Sequence, residues 1–175
     1  GFWNDKGNKK FINAYFSYYP NTWRHGDFIE INDKGGVVIY GRSDATLNPG
    51  GVRIGTSEIY QVIDKSKIIL DSVAVGLKIK EDEKIILFVK IENGNLLDNI
   101  LINEIKQLIR KNCSPRHVPE FIIQVSDIPY TINGKKVEIA VKNIIENMEV
   151  SNKESLVNPN CLEEYKLKIK DLFYV

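Results

Sequence analysis

Apolar residues cluster at Phe28-Ile29-Glu30-Ile31 and again over residues 37–40, on either side of Asn32-Asp33-Lys34-Gly35-Gly36. Two short apolar runs around a turn of Asn, Asp and Gly predict a β-hairpin. Ile59, Val62 and Ile63 recur at helical spacing behind Thr56 and Ser57, whose hydroxyls suit a helix start. Residues 72–79 read as a strand, Glu81-Asp82-Glu83-Lys84 as the turn after it, and residues 85–91 as a second, more buried strand. Leu101, Ile105, Leu108 and Ile109 share one face of a helix of about four turns. Ser114-Pro115-Arg116-His117-Val118-Pro119 ends it, and residues 121–125 form a third strand of this second group. Lys135-Lys136 leads into a last helix with the apolar stripe Val137, Val141, Ile144, Ile145 and Met148. The predicted order β-β-α-β-β-α-β-α is that of an α+β fold, a compact sheet with helices packed on one side. From about residue 149 the pattern fades into an extended tail, with a short helical piece around residues 163–172.

Composition narrows this picture. Of 175 residues, 43% are apolar and 27% charged, which suits a soluble globular protein with a core. A net charge of +1 gives no bulk argument for nucleic acid or an anionic membrane, so ligand recognition has to be local. Cys113 and Cys161 stand far apart without CxxC spacing, which fits single thiols in a reducing compartment, the cytoplasm. No apolar run reaches the ~18 residues of a membrane span. Phe2, Trp3, Phe11, Tyr15, Phe16, Tyr18, Tyr19 and Trp23 crowd the first 26 residues without a clear period. So many rings without a pattern of their own suggest packing against a partner surface, and we expect a piece of a longer protein.

Three clusters carry candidate chemistry. Trp23-Arg24-His25-Gly26-Asp27 puts a carboxylate at the mouth of the first strand, where it can accept bonds from the vicinal hydroxyls of a ribose. A simple hairpin-entry aspartate would read the same. The stretch from Gly41-Arg42-Ser43-Asp44 to Asn48-Pro49-Gly50-Gly51-Val52-Arg53 joins backbone freedom to fixed positive charge, as a site for phosphorylated ligands requires. A long Gly/Pro turn with two solvated arginines is the alternative reading. Arg42 follows Asp27 across the hairpin, so both return to the same end of it. Pro129-Tyr130-Thr131-Ile132-Asn133-Gly134-Lys135 sets a lysine on a tight turn, able to reach a developing negative charge. An exposed Asn-Gly turn with solvated lysines is again the plain alternative. His25 and His117 read as structural or solvent-linked.

Taken together and in this order, these clusters with Gly55-Thr56-Ser57-Glu58-Ile59 and Pro129-x-Thr131-x-x-Gly134-Lys135 resemble the late core motifs of adenylate-forming enzymes. That family holds acyl-CoA synthetases, adenylation domains of peptide synthetases and luciferases. The wording of residues 44–56, of Ser114-Pro115-Arg116-His117-Val118-Pro119 and of Asn158-Pro159-Asn160 is closest to its acetoacetyl-CoA synthetase branch. The resemblance implies two steps: a carboxylate attacks the α-phosphate of Mg-ATP to give acyl-AMP and pyrophosphate, then the thiol of coenzyme A displaces AMP. It implies that Asp27 and Arg42 hold the ribose and Arg53 meets the ATP phosphates. Lys135 would bridge the carboxylate and the α-phosphate. Asp44 would be a hinge, Gly50 and Gly51 would lie along the pantetheine arm of coenzyme A, and Arg110 would meet its 3′-phosphate. No protein metal site is implied, magnesium arriving with ATP.

On the same resemblance, residues 1–43 end a large AMP-binding domain, 44–148 form the small C-terminal domain, and 149–175 extend it. The phosphate loop, adenine pocket and acyl pocket of the large domain have no counterpart in this sequence, so the chain alone is expected to be inactive. A ligase for another short carboxylate, or a binding module without catalysis, remains compatible with the residues.

Overall fold

The computed structural model describes residues 1–150 and 152–173. Residue 151 and residues 174–175 of the expected extension lie outside that set. A short helix, α1 (Lys9–Tyr15), precedes a hairpin of β1 (Asp27–Ile31) and β2 (Val37–Arg42). Then come α2 (Thr56–Ile63), β3 (Ile69–Ile79), β4 (Asp82–Ile91), α3 (Asn99–Asn112), β5 (Phe121–Gln124), α4 (Glu138–Ile145) and α5 (Leu162–Phe173). β3 pairs antiparallel with β4, and β4 pairs parallel with β5, so α3 is the crossover between them. The β1–β2 hairpin forms a separate two-stranded sheet.

The helices lie on both faces of the three-stranded sheet, not on one. Ala74, Ile85, Leu87 and Val89 pack with Ile59 and Ile63 of α2 and Ile105 and Ile109 of α3. Val73, Val75, Ile86 and Phe88 face the other way, onto Val141, Ile144 and Ile145 of α4 and Leu162, Tyr165 and Ile169 of α5. Alternation along a strand sends neighbours to opposite faces. In β4 both sets are apolar, so both faces have to be covered.

Two local expectations shift. The turn between the long strands is Lys80-Glu81, with Lys80 at φ +57°, and Asp82 and Glu83 belong to β4. Their carboxylates are used from within the strand: Gly50 N–H donates to Asp82 Oδ1 at 2.8 Å and Asn48 N–H to Glu83 Oε1 at 2.6 Å. At α2, the residue in the N-cap position is Gly55, and Glu58 reaches back to its N–H at 2.9 Å. The hydroxyl of Thr56 instead approaches Glu138, and that of Ser57 donates to the Tyr40 carbonyl at 3.0 Å.

The stretch read as a fading tail is part of the core. Val150, Leu156, Leu162, Tyr165 and Ile169 are all buried in the second cluster. Leu162, Tyr165 and Ile169 stand three and four residues apart, one stripe of a helix whose outer positions are charged. Met148, the last residue of the predicted α4 stripe, lies beyond that helix and is exposed.

Candidate functional site

The hairpin delivers the first carboxylate and guanidinium together. Asp27 and Arg42 are directly opposite in the β1–β2 register, because the strands begin and end at the same edge of the turn-linked pair. His25 Nδ1 lies 2.7 Å from Asp27 Oδ2. Immediately after β2, Arg42 Nε and Nη2 donate to the two carboxylate oxygens of Asp44 at 3.0 and 2.6 Å. This forked bond raises the pKa of Arg42 and lowers that of Asp44. It also closes the turn that leaves the hairpin, where Ala45 N–H and Thr46 Oγ1 both donate to the Arg42 carbonyl.

Both members of the pair are largely exposed, so the clasp stabilises the fold little, but its pH dependence has a definite sign. A carboxyl with a depressed pKa contributes above its unfolded value and loses that contribution as pH falls through the folded one. The Arg42 Nε–H resonance is therefore expected to hold steady from neutral pH down to the ordinary aspartate range and to move only below it. A midpoint within that ordinary range or above it would show the clasp to be open in solution.

Lys135 is carried to the same place from ninety residues further along the chain. Arg42, Asp44 and Lys135 all line one cleft of about 410 Å³, with Thr131, Lys136, Glu138 and residues of the 150–156 segment. Lys135 rides on a tight turn: Gly134, at φ +72°, donates to the Thr131 carbonyl, and Thr131 N–H donates to the Lys135 carbonyl at 2.9 Å. Its side chain is exposed, and among the described residues its ammonium has no partner. The other charges around the cleft are engaged. Lys136 pairs with Asp71 at 2.8 Å, and Glu138 accepts from Tyr60 at 3.0 Å. Among the described residues Lys135 is thus an unengaged cation lining the same cleft as the Arg42 guanidinium. A second cleft of about 440 Å³, which Arg42 and Asp44 also line, is bounded by Tyr15, Trp23, Arg24 and His25.

The remaining expected residues are elsewhere. Arg53 lies over the Phe28 ring, 5.9 Å from its centroid, and lines none of these clefts. Gly50 and Gly51, at φ +56° and +80°, turn the loop back towards β4. Gly50 lines a smaller depression with Asp82, Glu83 and Arg116. Arg110 is exposed on the last turn of α3 and does not line that depression. The guanidinium that sits over Gly50 is that of Arg116, whose loop is tied down by its neighbour: His117 Nε2 meets Glu58 at 3.2 Å and Nδ1 meets Ser114 at 2.8 Å. Arg116 lies in a motif that the sequence had already singled out, but nothing in one dimension places that motif beside Gly50.

Known proteins share both the sequence and the fold. The acetoacetyl-coenzyme A synthetase of Rhizobium meliloti is 48% identical over 162 residues, 93% of this chain and 25% of that one. That of Gallus gallus is 46% identical over 167 residues, 94% of this chain and 25% of that one. The solved acetoacetyl-CoA synthetase from Streptomyces lividans superposes with a TM-score of 0.88 at 38% identity, covering 98% of this chain and 26% of that one. The chain is homologous to the C-terminal quarter of acetoacetyl-CoA synthetases. ATP-bound MatB from Rhodopseudomonas palustris shares the fold at 20% identity and a TM-score of 0.66. No protein-family model matches the chain. The chain spans about a quarter of the length of the curated synthetases it matches.

Proposed function

We propose that this chain is the C-terminal portion of an acetoacetate–CoA ligase. In it, residues 1–43 complete a large domain, 44–148 form the moving small domain and 149–175 extend that domain. What supports the reading is that Arg42, Asp44 and an unpaired Lys135 line one cleft in a chain homologous to acetoacetyl-CoA synthetases. In the first half-reaction acetoacetate attacks the α-phosphate of Mg-ATP, and the ammonium of Lys135 stabilises the charge that gathers on the two reacting groups. Asp27 and Arg42 hold the ribose. Arg42 has donors left on Nη1 after the forked bond to Asp44, and a carboxylate has lone pairs left after meeting one imidazole nitrogen. Arg53 meets the phosphates.

Asp44 is the hinge about which the small domain then turns, so that coenzyme A can displace AMP. Its turn is where the chain leaves the hairpin. Contacts that have to break on rotation include those of Ser57 with the Tyr40 carbonyl, of Gly55 with Tyr40 and of Arg53 with the Phe28 ring. Any side chain at position 55 would collide with that carbonyl. Gly50 and Gly51 pass the pantetheine arm. The role proposed for Arg110, contact with the 3′-phosphate, draws no support from the depression at Gly50, where Arg116 is the guanidinium present.

The exposed rings and the hairpin face point to where the rest of the enzyme sits. Trp3, Tyr18, Tyr19 and Trp23 are exposed, as are Ile29, Ile31, Val37 and Ile39. So many exposed apolar side chains on the first segment and the hairpin suit a surface that packs on another domain. No described helix is long and apolar enough to cross a membrane. Cys113 and Cys161 are free thiols, both raised in pKa by burial, that of Cys161 to about 11, and fit a cytoplasmic enzyme.

The test is a substrate panel on the full-length protein. Pyrophosphate release with ATP and coenzyme A is expected to be fastest with acetoacetate, ahead of acetate, propionate and butyrate. The isolated 175-residue chain is expected to release none. A preference for another carboxylate would move the enzyme to a different synthetase, and activity of the isolated chain would refute the need for a large domain.

A further inference from the structure

The loop that carries Lys135 is gripped at both of its stems by one carboxylate. Tyr130 precedes the turn and Lys136 follows it, and the two residues form a β-bridge. The Tyr130 hydroxyl donates to Asp71 Oδ2 at 2.8 Å, and Lys136 Nζ meets Asp71 Oδ1 at 2.8 Å. Asp71 stands where the register of β3 slips between Ile69 and Asp71, a bulge on the strand at the open edge of the sheet. Lys136 is further fixed by donating to the Ser72 carbonyl at 2.7 Å and by lying over the Tyr60 ring at 4.2 Å. Tyr60 in turn accepts from Ala74 N–H and donates to Glu138. The lysine stem therefore plugs directly into unpaired backbone of an edge strand, which would otherwise be open to pairing.

The outer side of the loop is held as well. Ile132 N–H donates to the Ser155 carbonyl at 3.0 Å, Val157 N–H to the Tyr130 carbonyl at 2.9 Å, and Tyr130 N–H to Asn158 Oδ1 at 3.1 Å. The exposed Lys135 ammonium thus stands on a rigid base while being free at its tip.

We propose that Asp71 is a positioning residue for Lys135. By holding Tyr130 and Lys136 together it fixes where the ammonium can reach, and so serves adenylation while leaving thioester formation alone. The inference rests on the ligase reading above. Burial and the Asp71 charge both hold the Tyr130 phenol well above its ordinary pKa, so it stays a donor at working pH. The lysine at 136 has a different task from the lysine beside it. One is half-buried in a pair, the other is free for a ligand.

Two experiments test this separately. In the full-length enzyme, Asp71→Asn is expected to lower the adenylation rate about 10²-fold, as a misplacement of about 1 Å at a reacting group does. Thioester formation from supplied acyl-adenylate should stay within about threefold of wild type. Equal loss in both half-reactions, or no loss in either, would overturn the assignment. Because Asp71→Asn breaks a largely buried pair and can unfold the domain, Tyr130→Phe is the second variant; it removes one bond and keeps the ring. In the 175-residue chain, hydrogen exchange at the amides of Thr131, Gly134 and Lys135 should then quicken about tenfold, while Leu87 and Phe88 in β4 keep their rates. Unchanged exchange at the loop would overturn the assignment of Asp71 whether or not the enzyme is a ligase. A wild-type enzyme that forms no adenylate, beside a loop that does loosen, would instead sink the ligase reading.

Discussion

Replacing Lys135 by alanine in the full-length enzyme is expected to lower adenylation by about 10²–10³-fold, the usual loss when one aimed electrostatic group is removed from a transition state. Thioester formation from supplied acyl-adenylate and coenzyme A should remain near the wild-type rate. The asymmetry follows from position. Lys135 shares a cleft with Arg42 and Asp44, whereas Gly50 and Gly51 lie on a loop held against β4 by Asp82, beside a separate depression. A ligand at one place need not touch the other. The fold should be untouched, since the Lys135 side chain is exposed and its ammonium has no partner among the described residues. Isotope exchange between pyrophosphate and ATP measures the first half-reaction alone. Equal loss in both half-reactions would show that Lys135 acts on folding or on domain motion and not on the reacting phosphate.

Replacing Tyr165 by alanine is the change with the largest expected effect on stability, a loss of about 3–5 kcal/mol. Its ring is fully buried and lies against Phe88 with centroids 4.6 Å apart, so truncation opens a cavity between α5 and the central strand. Its hydroxyl donates to the Asp127 carbonyl at 2.8 Å, and that carbonyl would lose its partner. Tyr165→Phe removes only the bond and should cost about 1 kcal/mol. Urea unfolding of the chain reads both as shifts of midpoint. A Tyr165→Ala midpoint indistinguishable from wild type would mean that α5 does not cover the sheet in solution.

These expectations draw on different layers of the protein. The alternation and spacing of Ile, Val and Leu determined the hairpin, α2, the long strands and α3, because each is amphipathic or apolar enough to name its own period. The pattern also placed α4, although Met148 fell outside the helix it seemed to extend. It named a short helical piece over residues 163–172 but not its place in the core, because Leu162, Tyr165 and Ile169 are spread among six charged residues, and burial depends on a partner face that the segment itself does not contain. It misplaced the β3–β4 turn for a similar reason. Four charged residues read as a turn until the loop of Asn48 and Gly50 is known to need Asp82 and Glu83 as acceptors.

The site divides in the same way. Asp27, Arg42, Asp44 and Lys135 were singled out as candidates by local chemistry and by their resemblance to ordered motifs, because glycines, prolines and fixed charges leave a one-dimensional trace. That Arg42, Asp44 and Lys135 line one cleft, that Arg116 and not Arg110 stands over Gly50, and that Asp71 holds both stems of the Lys135 loop were decided only by the tertiary structure. The physical reason is that a short sequence window records what each segment can do with its own backbone and solvent. The partners of Asp71 and the glycine under Arg116 lie tens of residues away in the chain, and only the packing of the fold brings them within reach.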